Sequence, residues 1–182
     1  MCARDYRAEV VAGIEASLSS VCAQRVDALT REIGSAERIF FAAAGRSFLM
    51  IKALAMALMQ IGYRVHAVGD VSTPGVARGD LLIVASSSGE TPSVLLFIEQ
   101  ARAGGAKVAL ITSSPGSSMA QAADLVVEMS DGVERGSPQA GWTTGSFFEL
   151  ALAPLGDCIV ETLAAANGAS RESVHGNHAN LE

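Results

Sequence analysis

Cysteine is scarce in this chain: Cys2, Cys22 and Cys158 are odd in number, far apart and without a C-x-x-C spacing. That pattern excludes a disulfide framework and reads as reduced thiols in a cytosolic protein. Positive charge is also short, with 13 Lys and Arg against 19 Asp and Glu and a formal net charge of -6. A nucleic-acid footprint needs clustered cations, so that class of partner is excluded. No apolar run approaches the ~20 residues of a membrane span, and the opening Met1-Cys2-Ala3-Arg4-Asp5-Tyr6 has charges but no apolar signal core. The expected compartment is the cytoplasm. Neither G-x-G-x-x-G nor G-x-x-x-x-G-K-[ST] occurs, which disfavours a nucleotide ligand.

What the chain does have is apolar residues, 49% of the 182, enough for the core of one compact domain. The spacing of Val10, Val11, Ile14, Leu18, Val21, Val26 and Leu29 predicts one leading helix from about Asp5 to Ile33, closed by Gly34. Strands are predicted at Ile39–Ala43, Val65–Val68, Asp80–Ala85, Lys107–Thr112 and Leu125–Glu128. Helices are predicted at Phe48–Ile61, Pro92–Ala103, about Ser117–Ala122 and Gly145–Ala165, with Ser130–Thr144 as loop and a polar tail at the end. Short apolar strands without alternation, interleaved with helices, indicate a parallel sheet covered on both faces. The organisation expected is one domain over residues 1–182: a leading segment 1–34, an α/β core 35–166 and a tail 167–182.

Two strand-to-helix loops stand out. Ala43-Ala44-Gly45-Arg46-Ser47 follows the first strand, and Ser86-Ser87-Ser88-Gly89-Glu90-Thr91 follows the third. Small residues let the backbone approach an anion, hydroxyls donate to its oxygens, and a helix N-terminus offers free N–H groups carrying about half a positive charge. Ser and Thr at such points are also ordinary helix caps. Two loops of this kind, each ending a buried strand, point to a phosphorylated small molecule. With the overall charge negative, such a ligand must be held by local donors. Ligands of parallel sheets bind beyond the carboxyl ends of the strands, where both loops lie.

These loops, together with Lys52-Ala53-Leu54-Ala55-Met56, Thr73-Pro74, Gly79-Asp80-Leu81-Leu82-Ile83 and Ile111-Thr112-Ser113, resemble the sugar isomerase, or SIS, domain over nearly the whole chain. Phe147-Phe148-Glu149 at the start of the last helix and the terminal His178-Ala179-Asn180-Leu181-Glu182 resemble, more narrowly, the 6-phospho-3-hexuloisomerase group. The resemblance implies a three-layer αβα sandwich around a five-stranded parallel sheet, flavodoxin-like in its winding. It implies a sugar phosphate held by Ser47, Ser86, Ser87, Ser88, Gly89, Glu90 and Thr91. Glu149 becomes the proton-transferring base, and His178, lent by a neighbouring subunit, the second catalytic group. The implied reaction interconverts 3-hexulose 6-phosphate and fructose 6-phosphate in the ribulose monophosphate route of formaldehyde fixation. The implied assembly is a homotetramer whose tails lie at a subunit interface, with a functional link to 3-hexulose-6-phosphate synthase.

Moving a carbonyl from C3 to C2 is internally balanced chemistry, so neither redox cofactor nor metal is expected. One carboxylate takes a proton from C2 and returns it to C3 through an enediol. Rival readings are an isomerase of arabinose 5-phosphate or sedoheptulose 7-phosphate, and a non-catalytic module that senses a sugar phosphate. Modules of that last kind are commonly fused to a DNA-binding domain, and this sequence carries no basic helix-turn-helix segment.

Other residues have plainer readings. Arg46 could neutralise phosphate charge, as could Lys52; both are also ordinary surface or interface cations. His175 and His178 are three apart in a polar tail without a third ligand of clear spacing, a poor basis for a metal site. His66 falls within a strand, Met50, Met56 and Met59 fit core packing, and Trp142 precedes Glu149 as a cover for the site or a packing residue. Phe48 and Ser87 stand where the family usually has glycine, as does Ala43, and Asn177 stands where it usually has a basic residue.

Overall fold

The computed structural model describes residues 3–132 and 147–180. Five strands, β1 (Ile39–Ala43), β2 (Val65–Ala67), β3 (Leu81–Ala85), β4 (Lys107–Thr112) and β5 (Leu125–Glu128), form one sheet in the order β2-β1-β3-β4-β5. Every pairing is parallel. Ile39, Phe41, Leu81, Ile83, Ala109 and Ile111 face one side of the sheet. Phe40, Ala42, Leu82, Val84, Val108 and Leu110 face the other. Both faces are apolar because both are covered, which is why the strands read as unbroken hydrophobic runs.

The first face carries α2 (Ala23–Ser35), α3 (Gly45–Gln60) and α6 (Phe147–Asn167), with α1 (Ala3–Ser19) packed on α6. The second carries α4 (Pro92–Ala103) and α5 (Ser118–Ala122). Three layers result, as expected. No described helix is long and apolar enough to cross a membrane.

Some boundaries depart from the sequence expectation. The single leading helix is two: Ser20 Oγ donates to the Ser17 carbonyl at 2.6 Å, and Ser20 and Val21 N–H turn back to the carbonyls three residues earlier. A serine hydroxyl that competes for the backbone ends the helix there, and Cys22 in extended conformation starts the next. Gly34 is therefore not the cap but lies inside α2, whose C-cap is Ala36. Helix α3 begins at Gly45 rather than Phe48, which places Arg46 and Ser47 in its first turn. The tail contains a short helix, α7 (Arg171–Gly176), opened by a capping box in which Ser170 and Ser173 exchange hydrogen bonds. Strands β2 and β3 are each one residue shorter than predicted. Cys2, Trp142, Leu181, Glu182, most of the Ser130–Thr144 loop and the predicted start of the last helix at Gly145 lie outside the described residues.

Strand order fixes where a ligand can sit. From β1 the chain crosses to β2 on one side, and from β3 to β4 on the other, so the switch in winding falls between neighbouring β1 and β3. Helix α3 leaves β1 towards one face and α4 leaves β3 towards the opposite face. The two helices diverge, and a crevice opens at the carboxyl ends of β1 and β3. Ala43 and Ala85 are register partners, so both hydroxyl loops start at the same level.

Candidate functional site

The β1 loop turns into α3 through Gly45, whose φ of +58° suits glycine, with open space where a Cβ would project. The N-cap of α3 is Ala44, which has no side chain able to cap. The first N–H groups of α3 thus lack a side-chain acceptor, the usual prelude to binding an anion. Ser47 sits buried in this turn, 7% exposed.

The β3 loop is more heavily braced. Ser86 Oγ accepts from Gly89 N–H at 3.1 Å. Thr112 Oγ1 and Ser113 Oγ donate to the Ser87 carbonyl at 3.2 and 2.9 Å, and the Ser87 and Ser113 hydroxyls are 2.8 Å apart. Either hydroxyl can be the donor between them. Gly89 has a φ of +65°, and a Cβ there would fall 2.0 Å from Ser117 Oγ. Only glycine lets the loop lie this close to the start of α5. Helix α4 is capped by Thr91 in extended conformation, yet the Thr91 side chain makes no capping bond.

Capping was the ordinary alternative for these hydroxyls, and at α3 and α4 it is not what they do. By contrast, Ser117 and Ser170 do cap α5 and α7. Two uncapped helix N-termini from opposite layers therefore open on one crevice.

Glu90 is turned elsewhere: its Oε1 accepts from Ser118 N–H at 2.8 Å. That backbone bond holds its carboxyl below the usual value, as charge-stabilising hydrogen bonds do. Ser88 is exposed, its Oγ accepting from Glu90 N–H at 3.3 Å.

Glu149 lies in the first turn of α6, with its side chain 14% exposed, and Arg46 Nη2 donates to its Oε2 at 3.1 Å. The pairing follows from helix packing. Gly156 of α6 faces Leu54 of α3, where a Cβ would be 3.2 Å away, and further on Val160 and Ala164 line one cavity with Ala57 and Gln60, so the helices run side by side in the same sense. Their first turns end up together, and the base candidate comes to the rim of the β1 loop. Lys52 is engaged with Asp70 at 3.4 Å and stacks 4.6 Å from the ring of Phe48, which is itself packed on the core. His66 lies 5.1 Å from the Phe40 ring, in a packing role.

His178 is not brought to this crevice within the chain. Its Nε2 lies 3.4 Å from Gln60 Nε2, and Asn177 Nδ2 donates to the Gln60 carbonyl at 3.0 Å. At ~1.5 Å rise per residue, Gln60 is ~20 Å along α3 from Ser47. A cavity of about 760 Å³ occupies this far end, between Ala57, Val160, Ala164, His175 and His178. No group of three or more His, Cys, Asp or Glu among the described residues is placed to hold a metal ion.

Thr112 and Ser113, which brace the β3 loop, are not among the site residues assigned from sequence. Their signal was the fourth strand ending in hydroxyls before a turn into a helix.

Fold and crevice together define an open α/β protein with two hydroxyl-bearing loops at its topological switch point. The chain belongs to the SIS domain family, which matches residues 32–153. It is 36% identical over 181 residues to a 3-hexulose-6-phosphate isomerase of Bacillus subtilis, covering 98% of each chain. A protein of the same name from Mycobacterium gastri is 38% identical over 161 residues, 87% of this chain and 81% of that one. A crystal structure from Methanococcus jannaschii, for whose protein a molecular function of 3-hexulose-6-phosphate isomerase was inferred, is 26% identical. It superposes with a TM-score of 0.79 over 87% of this chain and 86% of that one.

Proposed function

We propose that the protein is a sugar-phosphate isomerase that interconverts 3-hexulose 6-phosphate and fructose 6-phosphate. Similarity along 98% of both chains to an isomerase of that name supports the substrate. The observation that carries the mechanism is Glu149, a carboxylate held 3.1 Å from the Arg46 guanidinium in the first turn of α3.

The phosphate binds the N-termini of α3 and α4, with Ser47, the β3-loop hydroxyls and Arg46 as donors. Helix dipoles and one cation supply locally the positive potential that a chain of net charge -6 lacks globally. Glu149 takes the proton from C2, the C2–H electron pair forms the C2–C3 double bond, and O3 gains a proton. Return of the carbon-bound proton to C3 and loss of the O2 proton complete fructose 6-phosphate. His178 of a neighbouring subunit moves the proton between O2 and O3, in a homotetramer. A source of 3-hexulose 6-phosphate is required, and 3-hexulose-6-phosphate synthase in a cytoplasmic ribulose monophosphate route supplies it.

The test couples product formation to glucose-6-phosphate isomerase and its dehydrogenase. Conversion of 3-hexulose 6-phosphate without added metal or nucleotide is expected. Turnover of arabinose 5-phosphate or sedoheptulose 7-phosphate with none of the hexulose would replace the substrate, and binding without turnover would make the protein a sensor.

A further inference from the structure

We propose that α1 is a positioning element for the base: Gly13 seats the ring of Phe147 and so fixes the first turn of α6, on which Glu149 stands. The inference rests on the reading of Glu149 as the base. Helix α1 lies outside the segment matched by the SIS family, residues 32–153.

Gly13 and Ser17, one helical turn apart, are buried positions on α1. A Cβ on Gly13 would fall 2.3–2.4 Å from three ring atoms of Phe147, so the ring occupies the notch that glycine leaves. Alanine is the better helix former, and its absence here has a steric reason. A second glycine closes the same junction. Gly132 has a φ of +70°, and a Cβ there would lie 2.3 Å from the Gly13 carbonyl, 2.6 Å from Ser17 Oγ and 3.0 Å from Phe147 Cβ.

Hydrogen bonds complete the fastening. Phe147 N–H donates to the Asp131 carbonyl at 3.0 Å. Ser130 N–H donates to Ser20 Oγ at 2.8 Å, just beyond the end of α1. Ser17 Oγ is buried without a partner among the described residues. Closeness of approach has thus been kept at the expense of a hydroxyl's hydrogen bond.

The consequence for Glu149 is geometric. Phe148 is 0% exposed and turned into the core, while Phe147 lies on α1. Two successive side chains held on different elements leave the first turn of α6 no freedom to rotate. Glu149, next in the chain, is aimed by that constraint, whereas the two hydroxyl loops lead into α3 and α4. Loss of the seat should therefore move the base without moving the phosphate.

The experiment compares Gly13→Ala, Phe147→Ala, their double variant and Ser20→Ala in the coupled assay, on samples shown to be folded by circular dichroism. We expect Gly13→Ala to lower kcat at least tenfold with KM changed less than about twofold. The double variant should be no worse than Phe147→Ala alone, because removing the ring makes room for the new methyl. Ser20→Ala, which adds no bulk, should lower kcat several-fold at unchanged KM, and it decides the matter if Gly13→Ala does not fold. Unchanged kcat in Gly13→Ala or Ser20→Ala, a rise in KM that matches the fall in kcat, or multiplicative losses in the double variant would overturn the proposal. Glu149→Gln run alongside separates the two failures. A fully active Glu149→Gln sinks the base assignment and this inference with it, whereas an inactive one beside an unimpaired Gly13→Ala sinks only the role of α1.

Discussion

Arg46 Nη2 and Glu149 Oε2 meet at 3.1 Å and join the first turn of α3 to the first turn of α6. The Arg46 side chain is half exposed, so the pair is worth little to stability, ~0.2–1 kcal/mol. Its meaning is positional. In the proposed site a phosphate dianion would compete for the same guanidinium, so the cation that holds Glu149 in the free protein would also serve the ligand.

Glu149→Gln keeps shape and hydrogen bonding but cannot take a proton. The expected loss is ~10²–10⁴ in kcat, with the melting curve little changed. Coupled-assay rates near those of the parent would remove Glu149 from the chemistry.

Ser47→Ala should raise KM more than it lowers kcat, since the phosphate is bound alike in ground and transition states. A lost hydrogen bond to a charged group corresponds to ~1.5–3 kcal/mol. Ser88→Ala, at an exposed position of the second loop, should act in the same direction. Calorimetric titration with inorganic phosphate gives an independent reading, and unchanged affinity in both variants counts against the loops.

Glu90 offers a pH dependence of known sign. Its carboxyl sits below the ordinary value of 4.5 in the folded chain because Ser118 N–H stabilises the charged form. Its contribution is therefore present above pH 4.5 and is lost as pH falls through the depressed folded value. The difference in melting temperature between the parent and Glu90→Gln should be full at pH 7 and shrink only below pH 4.5. A difference that grew on acidification would show that the Ser118 bond does not govern this carboxyl.

Asp80 marks the opposite end of the sheet. Its carboxylate, 1% exposed, accepts from Arg38 at 2.6 and 3.0 Å and from Ala77 N–H at 2.8 Å. Asp80→Ala breaks a buried pair while Arg38 can still reach water, so a loss of about 3 kcal/mol is expected in urea unfolding. KM of the folded fraction should be unchanged, because Asp80 precedes β3 and the crevice lies beyond its far end.

If His178 acts on a neighbour's site, Glu149→Gln and His178→Ala are each impaired alone but complement each other. Mixed oligomers should regain part of the parent activity, since some sites combine an intact Glu149 with an intact His178. Verified mixed oligomers as inactive as either variant would place both residues in one chain or exclude His178 from the chemistry.

Strands and layers were legible because burial on two faces writes itself as unbroken apolar runs such as Leu81–Ala85. The hydroxyl loops were legible for a similar reason, since Gly45 and Gly89 stand where side chains with a Cβ are strained or excluded. Helix breaks were not: the serine that ends α1 does so by a bond to its own backbone, which helical spacing of apolar residues cannot reveal.

By itself, then, the sequence determined the α/β class and the two small, hydroxyl-bearing loops, because each is a local matter of residue type and spacing, whereas Glu149 as the candidate base came from the family resemblance. Tertiary structure alone decided which loops share a crevice, since β1 and β3 become neighbours only through the strand order. It also decided that Thr91 leaves α4 without a side-chain cap, that Glu90 turns to α5, and that His178 rests ~20 Å along α3 from Ser47. These are long-range pairings, set by how helices and strands pack against one another.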